Sequence, residues 1–254
     1  MFNLQFAISP SSPHSVPVPL TPASFSIIIP TLDEAATIAA AIRSAIDAGA
    51  HEIIVTDGGS RDETIAVATR AGASKVVRSL PGRGTQQNAG AAVATRDWML
   101  FLHADNRLHP DGLKQACDAI GGSAAGDHPI LWGAMRQRIE SPEWIFRAIE
   151  GGNAARVRVR GIAFGDQGIF VRSDVFRREG GFPDIPLMED IELSRKLRRQ
   201  SRPVLIPGPL TISPRRWRSR GPIRQTLQNW RLQIAHATGT SPAKLARRYQ
   251  NHPH

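Results

Sequence analysis

Apolar positions in the first 110 residues alternate between two rhythms. Short β-branched or aromatic runs, Ile27 to Ile29, Ile53 to Val55, Val76 to Val77 and Trp98 to Leu102, are cut off by Pro30, Asp57 or polar loops. Such runs predict strands buried on both faces. Between the first two, Ile38, Ala41, Ile42, Ala45 and Ile46 recur at helical spacing, and Gly49 marks the end of that helix. Thr31 precedes Glu34, and Ser60 precedes Glu63, by the three residues of a capping box, which predicts that helices open there. Strand, helix, strand, helix predicts an α/β fold with a mostly parallel, Rossmann-like sheet, helices on both faces and right-handed crossovers. Ligands of such sheets bind beyond the carboxyl ends of the strands, where Thr31, Asp33, Asp57, Gly58 and Gly59 fall.

The rhythm then loosens. Asp111 to Ile120 predicts an amphipathic helix, residues 121–129 a surface loop, and Ile130 to Ile139 an antiparallel strand. Pro142 opens a helix with Trp144, Ile145, Ala148 and Ile149 on one side. Gly165 to Arg172 reads as a loop entering a strand, Ser173 caps a short helix, and Gly180 to Pro183 turns the chain. A helix follows Glu189-Asp190 through Leu193 and Leu197, and another runs from Pro222 to about Ala237, punctuated by Leu227, Trp230, Leu232 and Ile234. The expected division is a Pro/Ser-rich tail over 1–23, one domain over 24–237 split near residue 110 into two halves, and a basic tail over 238–254.

Charge adds a constraint. The net charge is +10, and no Asp or Glu occurs from Leu193 to the end. Such an excess calls for anionic partners: a phosphorylated substrate, an anionic membrane surface or nucleic acid. A basic helix with aromatic residues suits a lid or a membrane surface, and nothing matches a nucleic-acid-reading motif. The single cysteine, Cys117, excludes an intramolecular disulfide framework and sits on an apolar helical pattern, as a core residue would. No basic start with an apolar core opens the chain, and no run approaches the ~20 apolar residues of a membrane span. The expectation is a cytoplasmic protein, with peripheral contact at the inner membrane face left open.

Ile28-Ile-Pro-Thr-Leu-Asp-Glu34 followed by Val55-Thr-Asp-Gly-Gly-Ser-Arg-Asp-Glu-Thr64 resembles the opening of family-2 glycosyltransferases of the GT-A fold. Two departures stand out: Asp33 replaces an Asn, and Thr56-Asp57 replaces an Asp pair. The resemblance extends over about residues 25 to 235. With Gly165-Asp-Gln167, Pro186 to Asp190 and Ser213 to Trp217, the chain is similar to a small, soluble bacterial subgroup sometimes named for arsenosugar biosynthesis. It implies transfer of one sugar from a nucleotide-diphosphate sugar to a small-molecule or lipid-linked acceptor, with inversion. The first half would hold the nucleotide and the second would shape the acceptor pocket.

Residue by residue, the resemblance places Pro30, Thr31, Asp33, Glu34, Asp57, Gly58, Arg83, Asn88, His103 and Asp105 on the donor side. Asp105 also takes the position of the carboxylate that binds a divalent ion, Mn²⁺ or Mg²⁺, which favour oxygen ligands. His103 stands where the family has a first Asp. Asp190 takes the general base's place, with Glu189 beside it, and Asp166, Gln167, Arg216 and Trp217 fall on the acceptor side. Bland readings accompany several of these. Arg83 also fits a solvated loop, Asp105 a capping carboxylate, and Glu189-Asp190 an acidic helix start. Two other functions compete: a basic nucleic-acid-binding module, and a sugar-phosphate nucleotidyltransferase that would release pyrophosphate.

Overall fold

The computed structural model describes residues 19–123, 129–214, 217 and 221–250. The Pro/Ser-rich stretch up to residue 18, and Arg216, lie outside them. Among the described residues eight strands form one sheet in the order β3-β2-β1-β4-β7-β6-β8-β5. The strands are β1 (Phe25–Thr31), β2 (Glu52–Asp57), β3 (Lys75–Arg78), β4 (Trp98–Phe101), β5 (Asn106–Arg107), β6 (Trp132–Ile139), β7 (Phe170–Arg172) and β8 (Val204–Ile212). The first three and β4 run parallel, in the arrangement the alternating rhythm predicts. β7 turns the other way against β4 and β6. The helices are α1 (Ile38–Asp47), α2 (Thr64–Ala71), α3 (Arg83–Val93), α4 (Gly112–Ser123), α5 (Trp144–Arg160), α6 (Ser173–Arg178), α7 (Glu189–Leu197), α8 (Pro222–Ala237) and α9 (Pro242–Gln250).

Alternation along the strands sorts the core into two layers. Ile27, Ile29, Ile53, Val55 and Leu100 pack with α1 and α4 through Ile38, Ile42, Leu113 and Cys117. Ile28, Ile54, Met99 and Phe101 face the other way, toward α3, α6 and α7. Each fully buried Ile or Phe contributes roughly 1.5–3 kcal/mol relative to exposure, so both faces of the parallel strands must be covered. Helix α3 lies very close to the sheet: a Cβ at Gly90 would meet Ile28 Cγ2 at 2.5 Å. Cys117 is a buried core thiol, and burial pushes its pKa up to about 11. No helix among the described residues is long and apolar enough to cross a membrane.

Several elements differ from the sequence expectations. Helix α1 begins at Ile38, after turns, because Thr31 is still strand and pairs with Asp57. The Glu34 carboxylate accepts instead from the Thr37 hydroxyl at 2.7 Å. Helix α2 begins at Thr64; the Ser60 hydroxyl is taken by the Asp33 N–H, and Asp62 accepts the Thr64 N–H. Strand β6 is antiparallel to β7 but parallel to β8. Helix α5 buries Phe146, Glu150, Ala154 and Val157, leaving Trp144 exposed. Where a basic tail was expected, α9 anchors Leu245 against Ile162, Met188, Ile191 and Leu232.

At the amino-terminal end of the sheet Glu52 ties four segments together. Its carboxylate accepts from Ser26 Oγ at 2.5 Å, the Thr95 N–H and hydroxyl at 2.9 Å, and Lys75 Nζ at 3.0 Å. Burial opposes ionisation most strongly, yet the combined hydrogen bonds from Ser26, Thr95 and Lys75 press the pKa down to about 2 from 4.5. A depressed carboxyl pKa stabilises the fold above the unfolded value and loses that contribution as pH falls toward the folded one. Glu52→Gln is therefore expected to lower the unfolding free energy by about 3 kcal/mol near neutral pH, with the gap roughly halved by about pH 3. Urea unfolding of parent and variant at both pH values checks this; a pH-independent gap would sink it.

Candidate active site

Register sets the carboxyl ends of the first strands. Thr31 pairs with Asp57, so β1 and β2 finish side by side, and the Gly58 N–H donates to Thr31 O at 2.9 Å. Asp57 is buried, and its carboxylate accepts the N–H groups of Gly59 and Ser60 at 3.0–3.2 Å. It thereby shapes the loop that leaves β2. Asp33 has a left-handed backbone, φ 54°, and accepts the Arg61 N–H, while the Glu34 N–H donates to the Thr64 hydroxyl. These acids knit the two loops into one rim. Gln86, which the motif reading passed over, donates its amide to Thr31 O at 2.7 Å and Thr56 O at 2.9 Å. A Cβ at Gly58 would stand 3.0 Å from that amide, so the glycine leaves room for it. Gln86 is buried, and the strand carbonyls it meets reveal what it does.

A cleft with about 120 Å³ of free space opens farther along the sheet. It is walled by Arg83 at the start of α3, His103 after β4, the Phe164–Asp166 turn, the start of α7, and Asn229, Leu232 and Gln233 of α8. Glu189 and Asp190 open α7, whose preceding residue Met188 takes a left-handed φ of 72°. Asp190 Oδ2 accepts the Gly165 N–H and Oδ1 accepts the Ile191 N–H, both at 2.7 Å. One backbone amide at each oxygen fixes the plane of the carboxylate. Gly165 has no side chain at the crowded point: a Cβ there would be 2.9 Å from His103 Nε2 and 3.6 Å from Asp190 Oδ2. His103 and Asp190, 87 residues apart in sequence, meet over that glycine.

Other residues expected at the site have partners within the fold. Asn88 spends its side-chain amide on Phe182, donating to its carbonyl at 2.8 Å and accepting its N–H at 3.0 Å. It clamps α3 to the Gly180-Gly181 turn. Gln167 is fully buried and accepts from Arg156 at 2.5 Å and from the Phe164 N–H at 3.0 Å. Asp166 lines the cleft, and its carbonyl receives the amides of Asn106 and Gln137. Trp217 is buried against Phe146, ring centroids 6.1 Å apart, in a cluster with Ile139 and Ile212, and does not line the cleft. Arg156 went unnoticed in the sequence because it is one of many basic residues. Its guanidinium sits 3.3 Å over the Phe164 ring. Burial lowers its pKa to about 10, with Asp166 and Asp190 opposing that shift. At neutral pH it remains a cation.

Asp105 is half-buried in the turn that follows β4. Among the described residues no three His, Cys, Asp or Glu side chains gather into a metal-binding cluster. Small hard cations in phosphate-handling sites commonly take one or two carboxylates and complete their shell with phosphate and water, so a single carboxylate such as Asp105 fits such an ion.

Glu189 is 2% exposed. Burial raises its pKa, and the neighbouring Asp190 charge raises it further; Arg83, whose Nη1 is 3.5 Å from Glu189 Oε1, pulls the other way. A raised carboxyl pKa leaves stability intact below the unfolded value and removes it as pH climbs through the folded one. Glu189→Gln should thus gain in melting temperature relative to the parent as pH rises from about 4 to about 8. A difference that stays constant over that range would show that Arg83 fully compensates the buried charge.

Comparison with known proteins gives the family. A family model described as glycosyl transferase family 2 matches residues 26–173. A PGL/p-HBAD biosynthesis glycosyltransferase of Mycobacterium bovis (strain BCG / Pasteur 1173P2) is 35% identical over 129 residues, 47% of this chain and 50% of the relative. The chain spans about half the length of the curated relatives it matches. The fold is similar to that of S. aureus TarS 1-349 in complex with UDP-GlcNAc, with a TM-score of 0.59, 17% identity and coverage of 74% of this chain and 58% of that one. It is also similar to glucosyl-3-phosphoglycerate synthase from Mycobacterium tuberculosis in complex with Mn²⁺, UDP and glucosyl-3-phosphoglycerate, with a TM-score of 0.51, 20% identity and coverage of 74% and 70%. With the family model extending over more than half of its residues, this chain belongs to glycosyl transferase family 2.

Proposed function

We propose that this protein transfers a single sugar from a nucleotide-diphosphate sugar to an acceptor hydroxyl, inverting the anomeric centre, with a divalent ion at Asp105. The observation that carries the reading is the Asp190 carboxylate, fixed by the Gly165 and Ile191 amides in a cleft it shares with His103 and Arg83. The acceptor oxygen attacks the anomeric carbon as its proton passes to Asp190. The new carbon–oxygen bond forms on the face opposite the diphosphate, whose own bond to that carbon breaks with its electron pair. A carboxylate with one amide at each oxygen keeps lone pairs for that proton.

Arg83 faces the leaving diphosphate as a planar cation. Glu189 holds Arg83 in position. The rim built by Asp33, Asp57 and Gln86 receives the nucleoside, and Asp166 and His103 flank the sugar and acceptor. A divalent ion, when bound, neutralises charge on the diphosphate and stabilises its departure. Mn²⁺ with UDP in one structural neighbour, and UDP-GlcNAc in another, make uridine nucleotides the first donors to try.

Calorimetric titration of nucleotide sugars with Mn²⁺ present tests the donor assignment. Asp105→Ala is expected to weaken donor binding far more with Mn²⁺ than with EDTA; equal affinity of variant and parent in Mn²⁺ removes Asp105 from that role. On an acceptor found by screening, Asp190→Asn should lower turnover by at least about 10²-fold and change donor affinity by less than about threefold. Near-parental turnover would move the base to Glu189 or Asp166.

A further inference from the structure

A second, larger concavity lies outside the catalytic cleft. It runs between α5 and α8 and has about 850 Å³ of free space, within the roughly 300–1,000 Å³ of small-molecule sites. Its walls are apolar and open to solvent: Val159 is 83% exposed, Ile234 64% and Trp230 59%, with Ile145 and Ile149 deeper. Isolated surface apolar side chains are ordinary, but a contiguous apolar trough is a binding surface.

Its position gives it a meaning. Gln233 lines both the trough and the catalytic cleft, so the two adjoin across one side chain. Arg156 also lines the trough, and its guanidinium lies over Phe164, a wall of the cleft. Arg160 adds a cation at the trough's edge, and the chain has no acid after Glu192.

Taking the glycosyltransferase reading as its basis, we infer that this trough seats the hydrocarbon chain of an amphiphilic, anionic acceptor whose head group reaches Asp190. Three observations select that occupant. The trough is concave between two helices and has ample room for a hydrocarbon chain, whereas a bilayer surface meets a convex apolar face. It adjoins, across Gln233, the cleft that holds the proposed base. Arg160, exposed at the trough's edge, complements a phosphate or similar anion between chain and reacting hydroxyl. Helix α8 thus has two jobs: Leu232 packs against Met188 and Ile191 beside the base, while Trp230 and Ile234 line the trough.

The test titrates the full chain with butyl, octyl and dodecyl phosphate, each below its micellar concentration. Affinity is expected to rise with chain length, by about fourfold for each methylene that enters the trough. Val159→Glu and Ile234→Glu, both at exposed positions, should lower dodecyl phosphate affinity at least about tenfold while UDP binding in Mn²⁺ stays parental. If dodecyl phosphate binds no better than butyl phosphate, or binds the Glu variants as well as the parent, the inference is overturned. Sedimentation with phosphatidylglycerol vesicles without binding of monomeric dodecyl phosphate overturns it in favour of a bilayer surface. A dimer broken by Ile234→Glu, again without alkyl phosphate binding, overturns it in favour of a second copy. Failure of the parent to bind UDP counts against the donor assignment and is read separately from the chain-length series.

Discussion

The pairing of β7 with β4 is the constraint on which the site depends. Met99 pairs with Val171 and Leu100 with Phe170 in antiparallel register, and the Phe101 N–H donates to Ile169 O at 2.9 Å. Because β7 runs against β4, its entry turn lies beside the exit of β4. That places Gly165 against His103 and gives Asp190 its amide partner. A parallel strand here would carry the turn to the opposite end of the sheet. Aromatic packing secures the join: the Phe101 and Phe182 rings meet edge-on at 4.8 Å, and Phe176 completes the group.

Around that join, charge is distributed between buried and half-buried groups. Glu189 is almost fully buried beside another carboxylate, an arrangement that burial and like charge both oppose. Arg83 offsets part of the unfavourable energy and in doing so links the first half of the chain to the second. Asn88 makes a neutral version of the same link to Phe182. At the far end of the sheet Glu52 shows the opposite outcome, since Ser26, Thr95 and Lys75 supply enough partners to keep a buried carboxylate ionised. Glu52 thus sits at one end of the sheet among favourable partners, and Glu189 at the cleft, buried beside a like charge.

Helix α8 closes the cleft. Leu232 packs with Met188, Ile191 and Leu245, and His236 Nε2 lies 2.7 Å from Glu192 Oε1, so the helix is fastened to α7 at two places. Its sequence carries no acid, and Asn229, Leu232 and Gln233 face the cleft. The apolar side chains it presents to solvent on another face extend the cleft's wall into the trough beside α5.

The amino-acid sequence by itself determined the parallel half. β-branched runs such as Ile27–Ile29 and Ile53–Val55 can only be covered on both faces, and their alternation with helical patterns leaves one chain path. Glu189-Asp190 at a helix start and Asp57 at a strand end were also legible, because residue type and local spacing carry that information. What tertiary structure decided were matters of partner. Capping-box spacing at Thr31 and Ser60 did not set the helix starts, since strand register and loop-to-loop hydrogen bonds claimed those residues first. That Asn88 holds Phe182, Gln167 receives Arg156 and Trp217 packs against Phe146 was not legible, because those partners arrive from other segments. Gln86 and Arg156 were invisible in the sequence for the same reason: an amide or a guanidinium acquires its role only from the carbonyls, ring and carboxylates that folding brings to it.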